Sequence, residues 1–123
     1  MPKGKYSIKS FLTSFSHAFD GLCFFFRVEH HSRIHALGMI CAIIAGVPLH
    51  ISRMEWIAIS IAIGLVFCME IVNTSIEYLT DFISPEKNEQ IKHVKDLAAA
   101  GVLVAAIVSV VIGLLVFLPQ LRL

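Results

Sequence analysis

The chain has 123 residues, enough for one domain, with an apolar share of 57% and only 15% charged residues. Soluble domains hold about 45–50% apolar and about 25% charged residues, and here the excess falls in long runs, which excludes an ordinary soluble fold and points to membrane spans. A net charge of +1 gives no basic field for nucleic acid, and Cys23, Cys41 and Cys68, odd in number and spaced for neither zinc nor disulfides, read as packing residues.

The first segment, 6–30, carries Ile8, Phe11, Leu12, Phe15, Phe19, Leu22 and Phe26 at helical spacing, with Ser7, Lys9, Ser10, Ser14, His17 and Asp20 on the opposite side. That pattern predicts an amphipathic helix lying in the membrane interface. Polar residues interrupt it too often for a secretory signal, and no small-residue cleavage site follows. A spanning helix needs about 20 apolar residues, and three segments qualify: 34–51, 56–83 and 94–118. The expected fold is therefore all-α and integral to the membrane, with three transmembrane helices plus the N-terminal surface helix. Ser84-Pro85-Glu86 has the form of a helix start, and Pro119 closes the third span. Gly38, Ala42 and Gly46, and Gly101, Ala105, Ser109 and Gly113, form rows of small residues suited to close helix packing against neighbouring chains. Lys3, Lys5, Lys9, Arg27 and Arg33 precede the first span and Lys87, Lys92 and Lys95 sit between the second and third, while only Arg53 and Arg122 lie on the other side. The positive-inside rule then puts the N-terminus and the 84–95 loop in the cytoplasm.

Against this background Glu70, inside Val66-Phe67-Cys68-Met69-Glu70-Ile71-Val72, is anomalous. An ionised side chain at the bilayer centre costs at least about 2.5–3.5 kcal/mol. Asn73, Glu77 and Asp81 follow at helical offsets and form a polar track toward the cytoplasmic boundary. Lys95 and Asp96 open the third span at that level, and Glu29 and Arg33 are expected to close the surface helix at the same level. A purely structural network of ion pairs is the bland reading of such a cluster; a functional site is the default for intramembrane ionisable groups. Carboxylates bind a hard cation such as Mg²⁺, a carboxylate in apolar surroundings is disposed to take a proton from an alcohol, and a lysine steadies phosphates. These parts suffice for phosphoryl transfer from solution to a lipid alcohol. No P-loop or G-x-G-x-x-G turn is present, and the same track would equally serve a proton or cation pathway.

The string Glu70-Ile71-Val72-Asn73-Thr74-Ser75-Ile76-Glu77, with Asp81 and then Lys95-Asp96-Leu97-Ala98-Ala99, resembles the signature of the prokaryotic diacylglycerol kinase family, which includes undecaprenol kinases; Gly21, Leu22, Glu29 and Arg33 also fall where that family has such residues. The resemblance covers nearly the whole chain. It implies a homotrimer in the bacterial inner membrane that transfers the γ-phosphate of ATP to a lipid alcohol with Mg²⁺. By position it makes Glu70 the general base, Glu29 and Glu77 ligands of metal and nucleotide phosphates, and Asn73 and Asp81 orienting groups. Glu86, Lys87, Asn88, Lys95 and Asp96 would touch the nucleotide. Two positions depart from the family pattern, Asn88 where many members have His and His17 where Tyr is usual, and both imply altered nucleotide contacts. Arg33-Ile34-His35 is closer to the undecaprenol kinases than to the branch acting on diacylglycerol, which tends to have an acid at position 35; His35 would otherwise be a headgroup-level surface residue. Glu70 and Glu77 share a helix, so Glu29 is expected from a neighbouring protomer. A small oligomeric channel or proton-coupled transporter, and a non-catalytic assembly subunit, are the competing readings; ATP consumption that depends on added lipid alcohol separates the kinase from both.

Overall fold

The computed structural model describes residues 6–122; Lys3 and Lys5, counted above toward orientation, lie outside them. The chain forms helices α1 (Ile8–Val28), α2 (His30–Gly46), α3 (Arg53–Ile83) and α4 (Glu89–Phe117), then a short 3-10 turn (Pro119–Leu121).

Ser7 starts α1 by accepting the Ser10 N–H on its hydroxyl at 3.1 Å. The apolar stripe of α1 is uncovered by the rest of the chain, with Phe15 60% and Phe19 70% exposed. The break before α2 is a single residue. Glu29 leaves helical space at φ −99°, ψ 111°; its N–H donates to the Phe25 carbonyl, and its carboxylate accepts the His31 N–H. α1 and α2 therefore meet at Glu29; His30, expected to end the first segment, and residues 31–33, which the sequence leaves between two segments, belong to α2.

The first expected span stops short of residue 51. Pro48 lacks an N–H for helix continuation, and His50 adopts φ 52°, turning the chain back. With 17 residues, α2 is about 25 Å long. Among the described residues, two helices are long and apolar enough to cross a membrane by length and composition alone, Arg53–Ile83 and Glu89–Leu121. α3 begins three residues before the expected Trp56, because Ser52 and Glu55 form a reciprocal capping box. At its other end Ser84 is a C-cap, its N–H bonded to the Thr80 carbonyl. Ser84-Pro85-Glu86 is thus not the helix start its pattern predicts. Asn88 takes that role instead, its side-chain oxygen accepting the N–H groups of Gln90 and Ile91.

α3 and α4 make the most extensive pairing. Ala105 is buried between them and the Ser109 hydroxyl donates to the Ala62 carbonyl at 3.1 Å. Gly101 gives room to the end of the Met69 side chain. Three members of the Gly101–Gly113 row thus take part in packing within the chain. Gly46 seats the Trp56 ring, closing a small core around Ile51, Ile59 and Val116. The three cysteines are exposed, contrary to the packing role expected of them, because so few helix faces of one chain meet another.

Candidate active site

α3 positions the polar track. Glu70 and Asn73 are buried, Glu77 is half-buried and Asp81 is exposed, so the track emerges gradually toward the α3–α4 loop. α2 runs back along α3 from the joint at Glu29, and the two helices meet through polar groups in two layers. In the first, Thr74 donates its hydroxyl to Glu29 Oε2 at 3.3 Å. In the second, His35 Nε2 lies 2.8 Å from Glu70 Oε1. Four residues of α3 separate Thr74 from Glu70, about 6 Å along the axis. Next to Thr74, Asn73 donates its amide to Glu77 Oε1 at 3.3 Å, while its own side-chain oxygen is buried without a partner. Within one chain Glu29 thus meets α3 through Thr74.

The second half of the site is a cleft of about 580 Å³ at the mouth of the α3–α4 loop, lined by Asp81, Glu86, Lys87, Asn88, Lys95 and Asp96, among others. All six are residues singled out from the sequence. Lys95 pairs with Asp81 across the two helices, and Lys92 with Asp96 one turn apart on α4 at 2.7 Å. The cleft therefore has two ammonium groups on one wall, each tethered by a carboxylate. Its volume is within the ~300–1,000 Å³ of small-molecule sites. The Asn88 oxygen is spent on the α4 cap, which leaves its amide NH₂ as the group for a ligand. His17 does not join the site: it is exposed on α1 and lines neither layer nor cleft.

The donor set fits a hard divalent cation. Glu29, Glu77 and the unpartnered Asn73 oxygen are all oxygen donors gathered around adjacent residues of α3. No group of three or more His, Cys, Asp or Glu side chains forms a ready cage among the described residues. Mg²⁺ needs none, since it takes one or two protein carboxylates and completes its shell with water and phosphate oxygens. Two participants lie outside the site read from sequence. Thr74 sits within the signature string, so its place was readable. His35 was noted only as a branch marker, and a pairing between two helices leaves no spacing pattern by which to find it.

A family model described as Prokaryotic diacylglycerol kinase matches residues 16–117. Over 114 residues the chain is 38% identical to the undecaprenol kinase of Bacillus subtilis (strain 168), covering 93% of each protein. It is 32% identical over 111 residues to the diacylglycerol kinase of a Synechocystis species, covering 89% of this chain and 63% of that one, so it spans less than two thirds of the second relative.

Proposed function

We propose, from the premise that this chain belongs to the prokaryotic diacylglycerol kinase family and is a kinase of the diacylglycerol/undecaprenol type, that it moves the γ-phosphate of ATP to the hydroxyl of a lipid alcohol at the cytoplasmic face of the bacterial inner membrane. The observation that carries this reading is the continuity of the site. A buried carboxylate in an apolar helix, Glu70, leads through Asn73 and Glu77 to a solvent-facing cleft with three lysines. A lipid hydroxyl and a soluble nucleotide would meet only in such a place.

Lys95 and Lys92 attract the nucleotide phosphates electrostatically, and the carboxylates of Asp81 and Asp96 hold the two ammonium groups in place for them. Asn73 orients Glu77. Glu29 and Glu77 would hold Mg²⁺, which when bound neutralises the charge that builds on the transferring phosphoryl group. Glu70, buried on α3 and hydrogen-bonded to His35, is the group that would accept the proton of the attacking hydroxyl as general base. In this reading α2, α3 and α4 all cross the bilayer, α1 lies on its cytoplasmic surface, and three chains assemble. The apolar residues of one chain, Leu97 at 74% and Leu115 at 69% exposure among them, then face lipid or a neighbour. The substrate leans to undecaprenol, on Arg33-Ile34-His35 and on the relative that the chain matches over nearly its full length.

The test is incubation of the purified protein in bilayer nanodiscs with γ-labelled ATP, Mg²⁺ and a panel of lipid alcohols at matched mole fraction. Label in a lipid phosphate is the expected result, strongest with undecaprenol. ATP hydrolysis without lipid labelling, or no turnover with any alcohol, would reject the reading, and a clear diacylglycerol preference would reverse the lean.

A further inference from the structure

Two residues of α3, one turn apart, take hold of one side chain of α2. His35 Nε2 lies 2.8 Å from Glu70 Oε1, and the Phe67 ring stands nearly edge-on to the imidazole, 6.4 Å between centroids. We propose that His35 is a positioning residue: it donates a hydrogen bond to Oε1 of the ionised Glu70, fixes the carboxylate in one orientation, and leaves Oε2 to take the proton of the lipid hydroxyl. This rests on the kinase reading and adds to it the group that aims its base.

An ionised carboxylate only accepts hydrogen bonds, so the imidazole nitrogen facing it, Nε2, carries the hydrogen. Nε2 donates in the neutral ring of that tautomer and in the imidazolium alike, so the contact holds in either form. Its length falls in the range of about 2.7–2.9 Å typical of charge-assisted bonds. Glu70 is buried, where bulk water does not solvate the carboxylate and a protein donor must. Three rotatable bonds separate that carboxylate from α3, and each leaves it alternative orientations. His35 belongs to another helix, so its bond fixes the carboxylate relative to α2 as well as α3. The imidazole is braced in turn. Phe26, near the end of α1, packs on Phe67 at 5.8 Å between centroids, and Phe67 packs on His35.

Orientation matters because the transfer is concerted with bond making. The hydroxyl proton passes to Glu70 as its oxygen bonds to the γ-phosphorus. The bond from that phosphorus to the β–γ bridging oxygen breaks, and ADP leaves with the electron pair. The proton on Glu70 then returns to solvent. A base displaced by about 1 Å can lose about 10²-fold in rate. A contact that served only to hold α2 against α3 would have the same geometry. The two roles part in how the losses combine: a positioning residue acts through Glu70 and costs nothing once the carboxylate is gone, whereas a structural residue costs the same with or without it.

The experiment compares His35→Gln, His35→Asn and His35→Leu with the wild type in the lipid-labelling assay, and repeats His35→Asn and His35→Leu in a Glu70→Gln background. The glutamine amide nitrogen reaches the place of Nε2. Asparagine carries the same amide on a side chain one carbon shorter and falls short of Glu70, and leucine fills the space without a donor. His35→Leu and His35→Asn are each expected to lose roughly 10–150-fold in kcat, the range for a hydrogen bond to a charged group, with KM for ATP within twofold. His35→Gln should lose less than fivefold. In the Glu70→Gln background the same two changes should cost no more than a further twofold. Equal losses in His35→Gln and His35→Asn overturn the assignment, since the ring would then act by more than its N–H. So does a loss as large in the Glu70→Gln background as in the wild type, which is the mark of a structural contact. Should His35→Leu fail to assemble, His35→Asn carries both comparisons. These failures occur with an active wild type and strike the assignment alone; a wild type that labels no lipid alcohol overturns the kinase reading and the assignment with it.

Discussion

Lys95→Ala separates a phosphate-binding role from a structural one, because the two differ in size. The Lys95 side chain is 37% exposed and its partner Asp81 66% exposed. A pair that open to water is worth about 0.2–1 kcal/mol to folding, so neither Lys95→Ala nor Asp81→Asn should destabilise the protein by more than about 1 kcal/mol. A charge-assisted contact from the ammonium to a nucleotide phosphate is worth about 1.5–3 kcal/mol. At about 1.4 kcal/mol per tenfold, losing it lowers kcat/KM for ATP by roughly 10–150-fold. Asp81→Asn leaves the lysine present but untethered, and is expected to cost several-fold at most. The assay is an ATP saturation curve at saturating lipid for each variant, beside a denaturation curve in detergent micelles. Lys95→Ala within twofold of wild type in kcat/KM for ATP would refute the reasoning. So would an Asp81→Asn variant that loses more than Lys95→Ala, since the carboxylate would then act by itself rather than through the lysine.

Glu70→Gln should cost at least about 10²-fold in kcat while helix content and oligomer size stay as in the wild type; turnover within a few-fold would remove Glu70 from the chemistry. Glu29→Ala and Glu77→Ala should each shift the Mg²⁺ titration of activity to higher concentration, and superimposable titrations would count against both as ligands. Gly46→Ala places a carbon 2.7 and 2.9 Å from ring atoms of Trp56 and 3.0 Å from Ile51; the ring cannot yield, and a loss of about 1–3 kcal/mol in micelle denaturation is expected. Gly101→Ala meets only the flexible end of Met69 and should fall within about 1 kcal/mol of wild type; equal effects of the two glycine changes would show that the packing is not as described.

The polar track was legible because one helix carries it. Offsets of three, seven and eleven residues put Asn73, Glu77 and Asp81 on the face of Glu70 whatever surrounds them, and the structure keeps that order of depth. The residues of the loop cleft were legible through the resemblance, and six of them line one cavity. Helix ends were less so. Ser84-Pro85-Glu86 and Asn88 both have the form of a cap, and the choice fell to Asn88, whose oxygen reaches two backbone amides. The capping box at Ser52 and Glu55 was readable from its spacing, and was obscured by the apolar run that begins at Trp56. Contacts between helices were not legible. Nothing in the spacing of His35 and Glu70 joins them, and the small-residue row of α4 fits packing within a chain as well as between chains.

Glu29 is a joint as well as a ligand candidate. Its backbone closes α1, and its carboxylate both starts α2 and touches α3. With one non-helical residue between the two helices, any tilt or roll of α1 is passed to that carboxylate with no slack to absorb it. Bilayer thickness, curvature and headgroup charge all act on the attitude of a surface helix. On the proposed placement of α1 at the membrane surface, the bilayer would thereby be coupled to the alignment of the proposed site.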